Sequence, residues 1–149
     1  MYSGARLGTY FKSTDYSTHR FVTSDTGGLK DGFGQGLRLS FLNTQEGKPA
    51  LRQTYYLYEG KPFFLLEVAL ESPTVISTNW LAPLQVGKPG TASIGDSKDE
   101  RGLIVPCDND NFVRYQGAPI DSAGSSYEVS SIYDNTSRKG LVIGSITHL

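Results

Sequence analysis

The chain has 149 residues, 38% hydrophobic and 19% charged, with 14 Lys+Arg against 15 Asp+Glu and a formal net charge of −1. That balance, with no basic stripe, excludes electrostatic nucleic-acid binding, and no apolar run approaches the ~18 residues that a membrane-spanning helix needs. The length suits one domain at roughly 100–200 residues per domain, large enough to fold without a metal or a disulfide.

Residues 1–34 are rich in Ser, Thr, Gly and Tyr with little periodicity and read as an irregular segment, apart from a short strand at Phe21-Val22. From there Gly and Pro punctuate the chain every ten or so residues, at Gly47-Lys48-Pro49, Glu59-Gly60-Lys61-Pro62 and Gly87-Lys88-Pro89-Gly90. Between them lie Leu37–Leu42, Ala50–Tyr58, Phe63–Glu71, Val75–Leu81, Leu103–Pro106, Phe112–Tyr115, Tyr127–Tyr133 and Leu141–Thr147, rich in Val, Ile, Thr, Tyr and Phe. No window keeps a helical apolar stripe over three turns. The pattern predicts an all-β antiparallel sandwich of eight or nine strands with little or no helix.

The hairpin Ala50–Tyr58 with Phe63–Glu71 is the clearest unit. Alternation places Phe64, Leu66, Val68 and Leu70 on one face of its second strand. A two-residue turn at Glu59-Gly60 puts Arg52 opposite Glu67, as a cross-strand ion pair. Residues 83–102, with Pro83, Gly87, Pro89, Gly90 and Gly95, read as a long loop. The end, Gly140 to Leu149, is strand-like throughout, which fits a piece of a longer chain.

Chemistry-bearing residues are sparse. His19 and His148 lie at opposite ends with no ligand spacing around them. Cys107 precedes Asp108 and Asp110, neighbours that raise a thiol pKa, so no nucleophile is expected there. Gly32-Phe33-Gly34-Gln35-Gly36 lacks the strand–loop–helix frame of a phosphate cradle. Neither a metal nor an organic cofactor is expected. Asp108-Asn109-Asp110-Asn111-Phe112 is the most polar stretch. Its carboxylate and amide groups suit sugar hydroxyls as acceptors and donors, and they equally suit a simple turn. Trp80, the single Trp, reads either as a core residue or as a sugar platform. As carboxylate pairs for glycosidic chemistry, Asp108 with Asp110 and Glu67 with Glu128 are the arrangements open to the chain.

Three segments together resemble a known family. They are Gln35–Phe41; Leu51–Tyr58 with Phe63–Ser72 and Asn79–Leu84; and Val105–Tyr115 with Ser126–Ile146, which holds Tyr133-Asp134-Asn135-Thr136-Ser137. Their order resembles the N-terminal β-supersandwich, galactose mutarotase-like, that precedes the catalytic (β/α)8 barrel of melibiase-type α-galactosidases and related glycoside hydrolases. The resemblance implies one sandwich domain over 1–149, shorter than the family's, that is itself non-catalytic and packs on a barrel outside this chain. It implies a carbohydrate ligand, an extracytoplasmic or secreted setting, and a loop reaching the sugar pocket. Asp108, Asn109, Asp110 and Asn111 are the residues expected in that loop, with Trp80 as a further sugar contact. The alternatives are a free-standing carbohydrate-binding module and a structural or adhesive sandwich.

Overall fold

The computed structural model describes residues 1–22, 28–85, 94, 99–106, 115–121 and 125–147. It is all-β and antiparallel. Its one helical element among the described residues is a 3-10 turn at Ser13–Asp15, and none there is long and apolar enough to cross a membrane. The chain divides into two compact units, Met1–Gly90 and Thr91–Leu149.

The first unit is a two-sheet sandwich. Its larger sheet runs in the order β3 (Thr18–Val22), β5 (Gly34–Thr44), β6 (Ala50–Tyr58), β7 (Phe64–Glu71), with β4 (Leu29–Asp31) also paired to β5. The smaller has β2 (Thr9–Lys12), β1 (Tyr2–Leu7) and β8 (Leu81–Gln85). Ala5, Phe11 and Tyr16 from the small-sheet side close on Leu51 and Val68 of the large sheet, with Leu7, Leu66 and Leu70 packed around them. Leu51 and Ala5 are fully buried, and sealing a Leu side chain from water is worth roughly 1.5–3 kcal/mol.

Polar groups cross the same interface. The Gln53 amide donates to Ser3 Oγ (2.9 Å), and Ser3 Oγ donates to the Pro83 carbonyl (2.5 Å). Asn43 Nδ2 donates to Leu51 O (2.9 Å) and Gln53 Oε1 (3.1 Å), while Asn43 Oδ1 meets His19 Nδ1 at 2.7 Å. Because the Asn43 oxygen is the acceptor, His19 carries its proton on Nδ1.

Segment 1–34, expected to be irregular apart from a short strand at Phe21-Val22, carries β1 to β4, with Phe21 and Val22 ending β3. The inward positions of β1 are Ser3 and Ala5, both fully buried. A strand whose core side chains are a small hydroxyl and a methyl shows no hydrophobic alternation, and its hydroxyl is satisfied by partners distant in sequence. Val75–Leu81, expected as a strand, lies outside the sheets apart from Leu81, and Val75 is fully exposed. The strand begins at Leu81 and includes Pro83 on the edge of the small sheet, beside a register shift against β1. An edge bulge tolerates a residue without an N–H.

The hairpin register differs from the two-residue-turn expectation. Leu57 pairs with Phe64 and Arg52 with Ala69, which leaves residues 59–63 as a five-residue connection between β6 and β7, with Gly60 at φ +65°. Pro62 has no N–H for a ladder and stays outside it. The shift is two residues, so each side chain keeps its face. Arg52 reaches diagonally to Glu71 (Nε–Oε1 2.5 Å) rather than to Glu67, and Tyr56 Oη donates to Glu67 instead (2.5 Å). Gly36 faces the Leu57 carbonyl so closely that any Cβ would collide with backbone.

The second unit is a four-stranded sheet in the order β10 (Gln116–Pro119), β9 (Glu100–Ile104), β11 (Val129–Asp134), β12 (Gly140–Gly144). Asp134, 2% exposed, accepts the N–H groups of Thr136 (2.7 Å) and Ser137 (3.0 Å), which shapes the β11–β12 turn. Arg138 completes that turn at φ +59°.

Two outcomes test the sandwich. Leu51→Ala is expected to cost about 2–5 kcal/mol in urea unfolding, the range for a buried Leu that leaves a cavity. Burial, with Asp15 nearby, pushes the Tyr16 phenol up to about 12. A raised pKa contributes stability below the unfolded value near 10 that is lost as pH climbs toward 12. Stability should therefore fall over pH 10–12, and fall less in Tyr16→Phe.

Candidate functional site

Asp108, Asn109, Asp110 and Asn111 lie outside the described residues, as do Cys107 and His148. Trp80 is described. It immediately precedes β8, half-buried, with its ring edge-on to Tyr10 at 5.1 Å and 63°. Its carbonyl accepts the Arg6 N–H (3.2 Å), and its own N–H donates to Thr78 Oγ1 (3.1 Å). The ring pair with Tyr10 and the bond from Arg6 tie Trp80 to β2 and β1 at the edge of the small sheet, outside the core cluster. Beside it, Arg6, Gly8, Ser77, Thr78 and Asn79 line a shallow polar depression in which Arg6 Nη2 donates to Asn79 Oδ1 (3.0 Å).

Glu67 and Glu128 do not meet across a sheet. Glu67 belongs to the five-stranded sheet of the first unit, and Glu128 precedes β11 of the four-stranded sheet in the second. Among the described residues, no three His, Cys, Asp or Glu side chains converge as metal ligands.

The surface that sequence reading missed is an open corner on the inner face of the large sheet. Register places its residues in rows across the strands. His19, Asn43, Leu51 and Leu70 form the first row, and Phe21, Phe41, Gln53 and Val68 the second. Leu39, Tyr55 and Leu66 form the third, and Leu37, Leu57 and Phe64 the fourth. The small sheet covers the corner around Leu51, Val68, Leu66 and Leu70. The opposite corner is open: Phe21 is 51% exposed, Phe64 51%, Leu37 50%, Leu57 40% and Phe41 37%.

Across this open corner a line of rings runs through β3, β5, β6 and β7. Phe21–Phe41, Phe41–Tyr55 and Tyr55–Phe64 have centroids 5.3, 6.0 and 6.3 Å apart, with planes inclined at 54°, 87° and 36°. The spacing is that of favourable aromatic pairs. The tilts mean that the rings share no plane. No Asp, Glu, Lys or Arg stands in these rows, so the corner offers apolar area and shape rather than charge.

The opposite face of the same sheet is chemically different. It carries Arg38, Arg52, Glu67 and Glu71 with Tyr56 and Tyr58. Tyr58 Oη donates to Asp31 (2.8 Å), and its ring forms a three-ring cluster with Phe33 and Phe63. Burial and the Asp31 carboxylate push that phenol up to about 12. One face is therefore charged and internally paired, and the other is apolar and half covered.

Comparison with known proteins returned no match: no family model, no curated protein and no solved structure is significantly similar to this chain.

The open corner has a direct test. Phe64→Ser is expected to change the stability of the isolated chain by less than about 1 kcal/mol, as at half-exposed sites away from the core. The same change should lower the fluorescence of a bound hydrophobic dye such as ANS.

Proposed function

We propose that this chain is a non-catalytic β-sandwich domain of an α-galactosidase-like glycoside hydrolase, which docks through the aromatic corner of its first unit onto the catalytic (β/α)8 barrel of the same parent protein. One observation supports the docking half: a line of tilted, uncharged rings left open on a sheet face. Contiguous exposed apolar surface of this kind marks interaction sites. A flat polysaccharide would lie across rings that share a plane, whereas tilted rings interdigitate with a corrugated protein surface. This favours domain packing over a free-standing module of the flat-platform type.

The carbohydrate half rests on the three-segment resemblance. In this reading the Asp108–Asn111 loop enters the sugar pocket built by the barrel, where its carboxylates accept and its amides donate to sugar hydroxyls. The nucleophile and the acid/base belong to the barrel. The free-standing module keeps one supporting feature, the Trp80–Tyr10 ring pair next to the polar depression of Arg6, Thr78 and Asn79.

Hydrolysis of an aryl α-galactoside tests this reading. The 149-residue chain alone should be inactive, and the parent protein carrying the barrel should turn over. Asp108→Ala or Asp110→Ala in the parent should raise KM about tenfold or more, as expected for losing a hydrogen bond to a charged group worth ~1.5–3 kcal/mol. A parent reading frame without a barrel would overturn the proposal. So would saturable galactose binding by the isolated chain that disappears in Trp80→Ala, which is the outcome expected of a module.

A further inference from the structure

We infer that β12, the free edge strand of the second unit, pairs with β12 of a second copy of this chain about a two-fold axis through Val142. This goes beyond the docking proposed for the first unit and uses a different surface. Among the described residues β12 ends the strand order β10-β9-β11-β12, and all five of its residues are exposed, Val142 at 69%.

The direction of its free backbone groups follows from the ladder. Asp134 N donates to Lys139 O (2.9 Å) and Ser145 N to Glu128 O (2.8 Å), and both pairs continue the register that joins Tyr133 to Gly140 and Val129 to Gly144. Hydrogen-bonded pairs alternate along an antiparallel ladder. Leu141 and Ile143 therefore direct their N–H and C=O groups to β11, while Gly140, Val142 and Gly144 direct theirs to the open edge.

The strand Gly140-Leu141-Val142-Ile143-Gly144 reads nearly the same in both directions. With Val142 opposite its symmetry mate, Gly140 faces Gly144 and Leu141 faces Ile143 of the other copy. A two-fold interface requires that kind of self-complementarity. The outward-directed set Gly-Val-Gly is the palindromic one, so three hydrogen-bonded pairs form, about six backbone bonds.

The usual guards of an edge, a Lys, a Pro or an inward charge, are missing from the strand. The nearest charges also permit the pairing. Lys139 would stand opposite Ser145 of the other copy, with the two Lys139 side chains six residues apart along the ladder. That is about 20 Å at ~3.4 Å per residue, well beyond the screening length of roughly 8 Å at physiological salt.

Light scattering coupled to size exclusion, over a concentration series of the 149-residue chain, measures the pairing. The mass should double as concentration rises, and Val142→Lys, which sets two cations against each other on the axis, should stay monomeric. Hydrogen exchange on the unsubstituted chain adds a readout that does not depend on the variant folding. The Val142 and Gly144 amides should gain protection with concentration, while Leu141 and Ile143 stay protected throughout. A monomeric mass at every concentration overturns the inference. So does a dimer whose Val142 and Gly144 amides exchange as they do at low concentration, or a folded Val142→Lys chain that still dimerises.

Discussion

Leu51 sits where the two sheets of the first unit meet, fully buried beneath Ala5, Phe11 and Tyr16. Apolar burial there drives the sheets together without direction. Direction comes from the polar groups beside it, because a buried hydroxyl or amide is costly unless hydrogen-bonded. Ser3, Gln53 and Asn43 satisfy one another, and the backbones of Pro83 and Leu51 take up the remaining bonds. Sliding one sheet over the other would break those bonds inside the core, so the polar chain sets the placement that the apolar contacts reward.

That placement also decides what stays uncovered. A three-stranded sheet of short strands cannot mask a five-stranded one that includes an eleven-residue strand. The overlap falls on the β6–β7 corner, and the rings of Phe21, Phe41, Tyr55 and Phe64 are left across the rest. The second unit leaves a different kind of surface open, a row of directional backbone donors and acceptors along β12. An apolar corner accepts any well-fitted surface, whereas a strand edge accepts another strand in a defined register.

Part of this was legible in the chain itself. The β6–β7 hairpin and the sharing of one face by Phe64, Leu66, Val68 and Leu70 follow from alternation, and the structure has both. Alternation does not say where along a face the cover ends, so Phe64 at 51% exposure and Val68 at 9% look alike in sequence. Turn length escaped as well, since Glu59-Gly60 fits a two-residue turn locally while β6 and β7 are joined by five residues. Trp80 was legible only as a choice between core and sugar platform, and its ring contact with Tyr10, seventy residues earlier, had no local signal.

The all-β class and most strand positions were determined by composition and punctuation, because Gly and Pro interrupt helices and branched or aromatic residues fit a pleated surface. The low charge and apolar alternation likewise determined that sheet faces would carry the core. Tertiary structure alone decided β1, whose buried Ser3 and Ala5 have no hydrophobic signature, and its pairing with β8. It also decided that the aromatic corner lies open. Each of these depends on which distant segment covers which, and local periodicity holds no record of a neighbour almost eighty residues away.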